Sequence, residues 1–232
     1  MKRSLINNTI ETGIEFFEKH GFHLPPFAFY SAAEWLRKYK LCEEIFDRQL
    51  GWDITSFGTD DFENTGLLLF TLRNGSTKND KYSRNYAEKI MMVLEKQLTP
   101  CHFHWEKSED IINRGGGNLV IEIWQSNNSK KLSTQSFDVS LNGMVVHCQP
   151  GEKIILAPGE SICLEPYSAH CFYGESGSGP VMVGEVSSIN DDSNDNCFIA
   201  DQPRFDQIIE DDKIKYFLAS DLKGLYKEKN EH

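Results

Sequence analysis

The sequence predicts an all-β barrel or sandwich with a helical segment in front of it. Two observations predict this. From about Gly66 onward, short apolar runs follow one another: IMMVLE, LVIEIW, FDVSL, GMVVHC, KIILA, SICLE, HCFYG and VMVGEV. Glycine, proline and asparagine punctuate them at near-regular spacing, the pattern of many short strands joined by turns. Before Gly66 the apolar residues repeat with helical spacing instead.

The helical segment opens with Ile10, Ile14 and Phe17 at i, i+4 and i+7, one apolar face. Gly21 follows as a C-terminal stop. Phe22 to Phe29 contains Pro25-Pro26 and is expected to be extended, because proline bars helix from the residue before it. A second helix is expected from Ser31, with Glu34 completing a capping box. Ala32, Trp35, Leu36 and Tyr39 would be its buried stripe. The first strand is LLLFTL, a buried run ending at the Asn74-Gly75 turn signal. Asn142-Gly143, Pro150-Gly151 and Pro158-Gly159 are expected to be hairpin turns. DDSNDN, from Asp191, is expected to be a polar, mobile loop. The tail from Pro203 carries some helical periodicity and then a charged, frayed end. The expected organisation is one structural domain. A helical segment, 1–65, packs on a barrel, 66–200, followed by a C-terminal segment, 201–232.

A chain of 232 residues, 39 % hydrophobic, can fill one large core. Its net charge of -11, with no cluster of Lys or Arg, argues against nucleic acid or an anionic membrane as partner. A small ligand or another subunit fits better. No run of 18 apolar residues exists, so no transmembrane helix is expected. The N-terminal MKRSLINNTIE lacks the apolar stretch of a signal peptide. The expected location is therefore cytoplasmic, where six scattered cysteines without a CxxC pair are reduced thiols.

The chemistry concentrates at Cys101-His102-Phe103-His104-Trp105-Glu106-Lys107-Ser108-Glu109. On a strand, alternation puts His102 and His104 on one face, their Cα atoms roughly 6.6 Å apart. Two imidazoles at that separation can share one metal ion. Glu109 could curl back to add an oxygen, while Phe103, Trp105, Cys101 and Cys171 turn the other way. After Glu109 come six residues and then Gly116, within Gly115-Gly116-Gly117. This spacing resembles the first cupin motif. Pro166-Tyr167-Ser168-Ala169-His170 resembles the second, one residue short and without its glycine. His170 is thus the expected fourth ligand, with His147 as competitor. The resemblance implies a cupin double-stranded β-helix, a jelly-roll barrel holding one divalent transition metal on His102, His104, Glu109 and His170. Nitrogen and oxygen donors without thiolate suit Mn, Fe, Co, Ni or Zn.

Three charges interrupt apolar strands: Lys89 before IMMV, Glu122 in LVIEIW and Glu185 in VMVGEV. A lone charge on a buried strand is costly unless paired or bound to ligand. Each could instead face solvent. Together they make a polar barrel interior, with Glu122 or Glu185 as candidate general base and Lys89 steadying an oxyanion. Lys89, Lys107, Asp201 and Arg204 are the candidate substrate-binding residues. Arg114, beside the glycines, is a weaker candidate.

Longer stretches resemble the D-lyxose isomerases, a cupin family of sugar isomerases. They are Tyr86 to Ile90, Thr99 to Trp105, Glu109 to Leu119 (with INRGGGN), and Gly184 to Asp192 (GEVSSINDD) followed by Arg204-Phe205. The resemblance covers roughly Ser31 to Asp212. It implies a cytoplasmic homodimer, Mn2+-preferring, that interconverts D-lyxose and D-xylulose and also acts on D-mannose and D-fructose. The expected mechanism is enediol proton transfer, with a metal-assisted hydride shift left open. Two rivals share the motif: an Fe(II) cupin dioxygenase, which needs an O2 site and usually a more apolar pocket, and a sugar-binding cupin without turnover.

Overall fold

A computed structural model of the chain describes residues 1–76, 81–222 and 224. Helix α1 (Arg3–Lys19) buries Ile6, Ile10 and Phe17. It stops where expected, Gly21 taking φ +74°, a left-handed conformation open to glycine at no steric cost. Helix α2 (Ala32–Lys38) begins with the expected capping box: Ser31 Oγ accepts from Glu34 N, and the Glu34 carboxylate accepts from Ser31 N at 2.9 Å. Its buried stripe is narrower than expected. Trp35 is buried, but Ala32 and Leu36 are exposed, because two helical turns reach only a small cluster with Phe46 of α3 (Glu43–Asp47) and Leu222.

Thirteen strands follow among the described residues. The eight-stranded sheet runs β1 (Gly51–Thr55), β2 (Leu67–Arg73), β3 (Tyr86–Val93), β12 (Val181–Ser188), β5 (Glu109–Gly116), β10 (Ser161–Leu164), β7 (Phe137–Leu141) and β8 (Met144–Cys148). The five-stranded sheet runs β13 (Asn196–Phe198), β4 (Thr99–His104), β11 (Ser168–Gly174), β6 (Leu119–Gln125) and β9 (Glu152–Leu156). All pairings between strands are antiparallel, and the two sheets face each other as the expected jelly roll. Residues 1–65 are thus not only helical. They also supply β1, whose five residues are too short a run to announce a strand against its helical surroundings.

The core lies between the sheets. Leu69, Met91, Ile111, Ile121, Ile123, Phe172 and Val183 meet there. A second cluster fills the outer face of β1–β3, where Trp52, Leu68, Phe70, Ile90 and Met92 pack under α1. LLLFTL is apolar without alternation because β2 is buried on both faces: Leu67 and Leu69 inward, Leu68 and Phe70 under the helix. Each such side chain contributes about 1.5–3 kcal/mol of burial.

Asn142-Gly143 is the expected hairpin turn, both residues at positive φ (52° and 78°) between β7 and β8. Pro150-Gly151 and Pro158-Gly159 are not hairpins. They join β8 to β9 and β9 to β10, strands that lie in different sheets, so each turns a corner of the barrel. Local turn chemistry is the same for both tasks, which is why the sequence could not separate them. The frayed tail expected near the C-terminus lies outside the described residues.

Candidate active site

Register and alternation build the site. β4 pairs with β11 so that His102 stands opposite His170. His102 and His104 are on one face, as expected, with ring centroids 5.4 Å apart. The His170 ring lies 4.4 Å from that of His102 and 6.2 Å from that of His104. Glu109 opens β5 on the facing sheet. Its Oε1 lies 3.3 Å from His104 Nε2 and 3.4 Å from His170 Nε2. Tyr167 holds φ +66° in the turn before β11, the strained stand-in for the motif's glycine.

These four residues suit a metal ion. As they stand, no three His, Cys, Asp or Glu side chains among the described residues already enclose a common point. The donor chemistry nonetheless fits. Glu109 Oε1 is buried and has no hydrogen-bond partner, although two imidazoles face it. Two donors each about 2.1 Å from one ion stand roughly 3.0–3.4 Å apart, close to the two separations here. His102 Nδ1 donates to Pro100 O (2.8 Å) and His170 Nδ1 to Ser168 O (3.0 Å). In a neutral ring this leaves Nε2 as a lone pair for a ligand. The rings are neutral: burial first, then His170 and His104, holds His102 well below the ordinary imidazole value, and burial lowers His170.

A chain of buried charges runs on from Glu109. Lys107 Nζ lies 2.7 Å from Glu109 Oε2 and 2.9 Å from Glu185 Oε1. Lys89 Nζ lies 3.2 Å from Glu185 Oε1 and donates to Asn190 Oδ1 at 2.6 Å. Glu185 and Lys89 are direct partners on β12 and β3, sharing the inward face with Val183 and Met91. Burial alone would raise the Glu185 carboxyl. Lys107 and Lys89 outweigh it and hold it below its usual range, so it is ionised at neutral pH. The same contest, with Lys107 and His104 as partners, leaves Glu109 well below its usual value. Arg204 closes the mouth, its Nη2 2.6 Å from Asp53 Oδ2 and 3.7 Å from Asp192 Oδ2. A cavity opens among these groups, with Phe57, Phe172 and Phe198 on its walls.

The family model described as D-lyxose isomerase matches residues 1–222. This chain belongs to the D-lyxose isomerase family. It is 47 % identical over 224 residues to a protein of Escherichia coli O157:H7 named D-lyxose/D-mannose isomerase, covering 96 % of this chain and 99 % of that one. A protein of the same name from Serratia proteamaculans is 48 % identical over 220 residues, covering 94 % and 96 %. Among solved structures, the L-ribose isomerase of Geodermatophilus obscurus superimposes with a TM-score of 0.61 at 15 % identity, covering 90 % of this chain and 98 % of that one. That of Cellulomonas parahominis without ligand gives 0.60 at 13 %, covering 90 % and 98 %. At such identities the likeness is one of fold.

For this member of the D-lyxose isomerase family, the interior expected from sequence needs two corrections. Glu122 does not face the barrel. It alternates with the inward Ile121 and Ile123, so it sits on the outer face of β6, paired with Lys153 (3.1 Å) and accepting from Tyr173 Oη (2.9 Å). Asp201 is exposed and lines no part of the cavity. His147, the competitor ligand, is exposed on β8 against Asp138 at 2.8 Å. Arg114 lies outside the barrel across Gly184. Cys101 and Cys171 do turn away from the histidines. Burial, then the neighbouring Cys171 and Glu122, pushes the Cys101 thiol up to about 12. All six cysteines are free. No described helix is long and apolar enough to cross a membrane.

Asp192, Asn190 and Asp53 join the site without a sequence signal that marks them. Asp192 and Asn190 lie around the stretch expected to be a mobile loop, and a run of Asn and Asp carries the same local signal whether solvated or docked. Asp192 is docked: burial would raise its carboxyl, but Lys89 and Arg204 hold it far below the usual range.

Proposed function

We propose that this chain is a metal-dependent aldose–ketose isomerase that interconverts D-lyxose and D-xylulose, and D-mannose and D-fructose. One observation carries the proposal: a three-histidine, one-carboxylate cluster and an ionised, buried Glu185 open onto a single cavity. The names of the curated relatives supply D-lyxose and D-mannose, and the family resemblance supplies their ketoses. His102, His104, His170 and Glu109 would hold one divalent ion, Mn2+ by the family resemblance. When bound, it would supply Lewis-acid polarisation of the sugar's C1 and C2 oxygens.

The chain's own residues do the rest. Glu185, held ionised between two lysines, takes the proton from C2 of the open-chain aldose. The electron pair forms the C1–C2 double bond of an enediol, and the C1 carbonyl oxygen gains a proton. Lys107 and Lys89 stand beside that charge as donors. The C2 hydroxyl then loses its proton as the C2 carbonyl forms, and Glu185 returns its proton to C1. Arg204 and Asp192 at the mouth bind the sugar's hydroxyls and exclude water. The proposal extends to a cytoplasmic homodimer, as the resemblance implies.

Purified protein, chelated and then reloaded with Mn2+, tests this. Chelation should abolish the interconversion of D-lyxose and D-xylulose, and Mn2+ should restore it. Full activity after verified metal removal, or no turnover when loaded, would sink the proposal.

A further inference from the structure

Asn74-Gly75 carries a turn signal in the sequence, but the pair does not make a two-residue turn. β2 ends at Arg73 and β3 begins only at Tyr86, and neither Asn74 nor Gly75 takes the positive φ that such a turn needs. The pair meets another part of the chain instead. Asn74 is 6 % exposed, and its carboxamide grips the backbone of Asn190 twice: Nδ2 donates to Asn190 O at 2.9 Å, and Oδ1 accepts from Asn190 N at 3.0 Å. Gly75 allows the approach, since a β-carbon there would stand 2.4 Å from Ile189 Cγ1 and 2.6 Å from Arg84 O. On the other side the fully buried Arg48 guanidinium donates to Asn74 O. The contact joins residues 116 positions apart and reaches across β3, which lies between β2 and β12 in the large sheet.

The strand so crossed carries Lys89. Its ammonium faces Asn190 Oδ1 at 2.6 Å, Glu185 Oε1 at 3.2 Å and Asp192 Oδ1 at 3.7 Å. Asn190 is the nearest of these partners, so it decides where the positive charge sits between the two carboxylates. An ammonium released from Asn190 would close on Glu185 and occupy the lone pair that has to accept the proton. We propose that Asn74 is a positioning residue for catalysis: through the backbone of Asn190 it fixes the side chain that holds Lys89 off Glu185. This rests on the isomerase function proposed above, with Glu185 as its base. The same grip steadies Asp192, two residues further on at the cavity mouth.

The test is kcat and KM for D-lyxose on the metal-loaded parent and a set of variants, with thermal midpoint and metal content measured for each. Asn190→Ala leaves the backbone grip and removes only the oxygen at Lys89, so kcat should fall roughly tenfold with KM kept. Asn190→Asp keeps an oxygen there and should recover most of kcat. Asn74→Ala frees the backbone, so kcat should fall as far and KM should rise too, because Asp192 loosens. Both changes act through one contact. The double variant Asn74→Ala/Asn190→Ala should therefore lose no more kcat than the worse single variant, whereas unrelated losses would multiply. Gly75→Ala pushes the two segments apart without removing a hydrogen-bonding group. It should follow Asn74→Ala, and it takes that variant's place, alone and in the double variant, should Asn74→Ala not fold. A parent-like kcat in Asn190→Ala, no recovery in Asn190→Asp, or multiplying losses in the double variant overturns the positioning role while the isomerase function stands. A parent inactive on D-lyxose overturns the isomerase function itself, and the positioning role with it.

Discussion

Glu185 and Glu122 look alike in sequence, each a single carboxylate inside an apolar strand. Their surroundings give them opposite expected behaviour. Glu185 is 5 % exposed and bridges two buried lysines. Glu185→Gln keeps the shape but removes the base, so kcat should fall by about 10²-fold or more while metal content is kept. Turnover in deuterated solvent gives a second measure, since an enediol exchanges its carbon-bound proton and a hydride shift does not. Glu122 is partnered by Lys153, which is 61 % exposed. A pair so open to water is worth ~1 kcal/mol or less. Glu122→Gln should therefore leave kcat/KM near the parent value. Comparable losses in both variants would place the base elsewhere.

At the scale of the element, the segment after β12 decides whether the cavity has a wall. Asp192 ties it to Lys89 (3.7 Å) and to Arg204 (3.7 Å), which is itself anchored to Asp53 on β1. The Asp192 carboxyl is held far below its ordinary value when folded. Its stabilisation is therefore fully present above the unfolded value near 4 and is lost as pH falls from there toward the folded value. Asp192→Asn should lower the thermal midpoint at pH 7, and the gap to the parent should narrow below about pH 4. A gap that stays constant with pH would show that the ion pairs do not carry the effect. The β7–β8 hairpin makes a separate prediction. Gly143 sits at φ +78° with open space where a Cβ would go. Gly143→Ala should cost ~1 kcal/mol in denaturant unfolding, from backbone conformation alone, with activity kept.

In the whole molecule α1 meets residues 207–221 over the barrel's outer layer. Arg3 is fully buried and forms two ion pairs, with Glu210 (2.7 Å) and Asp221 (2.9 Å). Asn7 Nδ2 donates to Lys213 O at 2.8 Å. These join α1 to residues 207–221, which carry the segment that also brings Asp206 to Ser56 and Arg204 to Asp53. Arg3→Leu should cost about 2 kcal/mol of stability. That is less than the ~3–5 kcal/mol of a wholly buried pair, because Glu210 stays half in water. Urea unfolding with α1 helicity and enzyme activity followed together tests this. An unchanged midpoint would mean the contact between α1 and residues 207–221 does not brace the barrel.

The sequence by itself determined the strand-rich class, the stop of the first helix at Gly21, the start of the second at Ser31, the Asn142-Gly143 hairpin and which four residues gather in the histidine–glutamate cluster. All of these depend on signals within a few residues: alternation, capping, positive φ and motif spacing. Tertiary structure decided the rest. It sent Glu185 inward and Glu122 outward, because the face of a strand depends on which side its neighbours bury. It turned Pro150-Gly151 and Pro158-Gly159 into corners between sheets and docked Asp192 instead of leaving it in solvent. It also set Phe57 against Phe198 across 141 positions of sequence, a contact without any local signature. Short-range patterns specify which residues can form an element. Which groups share a cavity is settled only when two sheets close over it, since burial and electrostatic pairing act between residues that the chain keeps far apart.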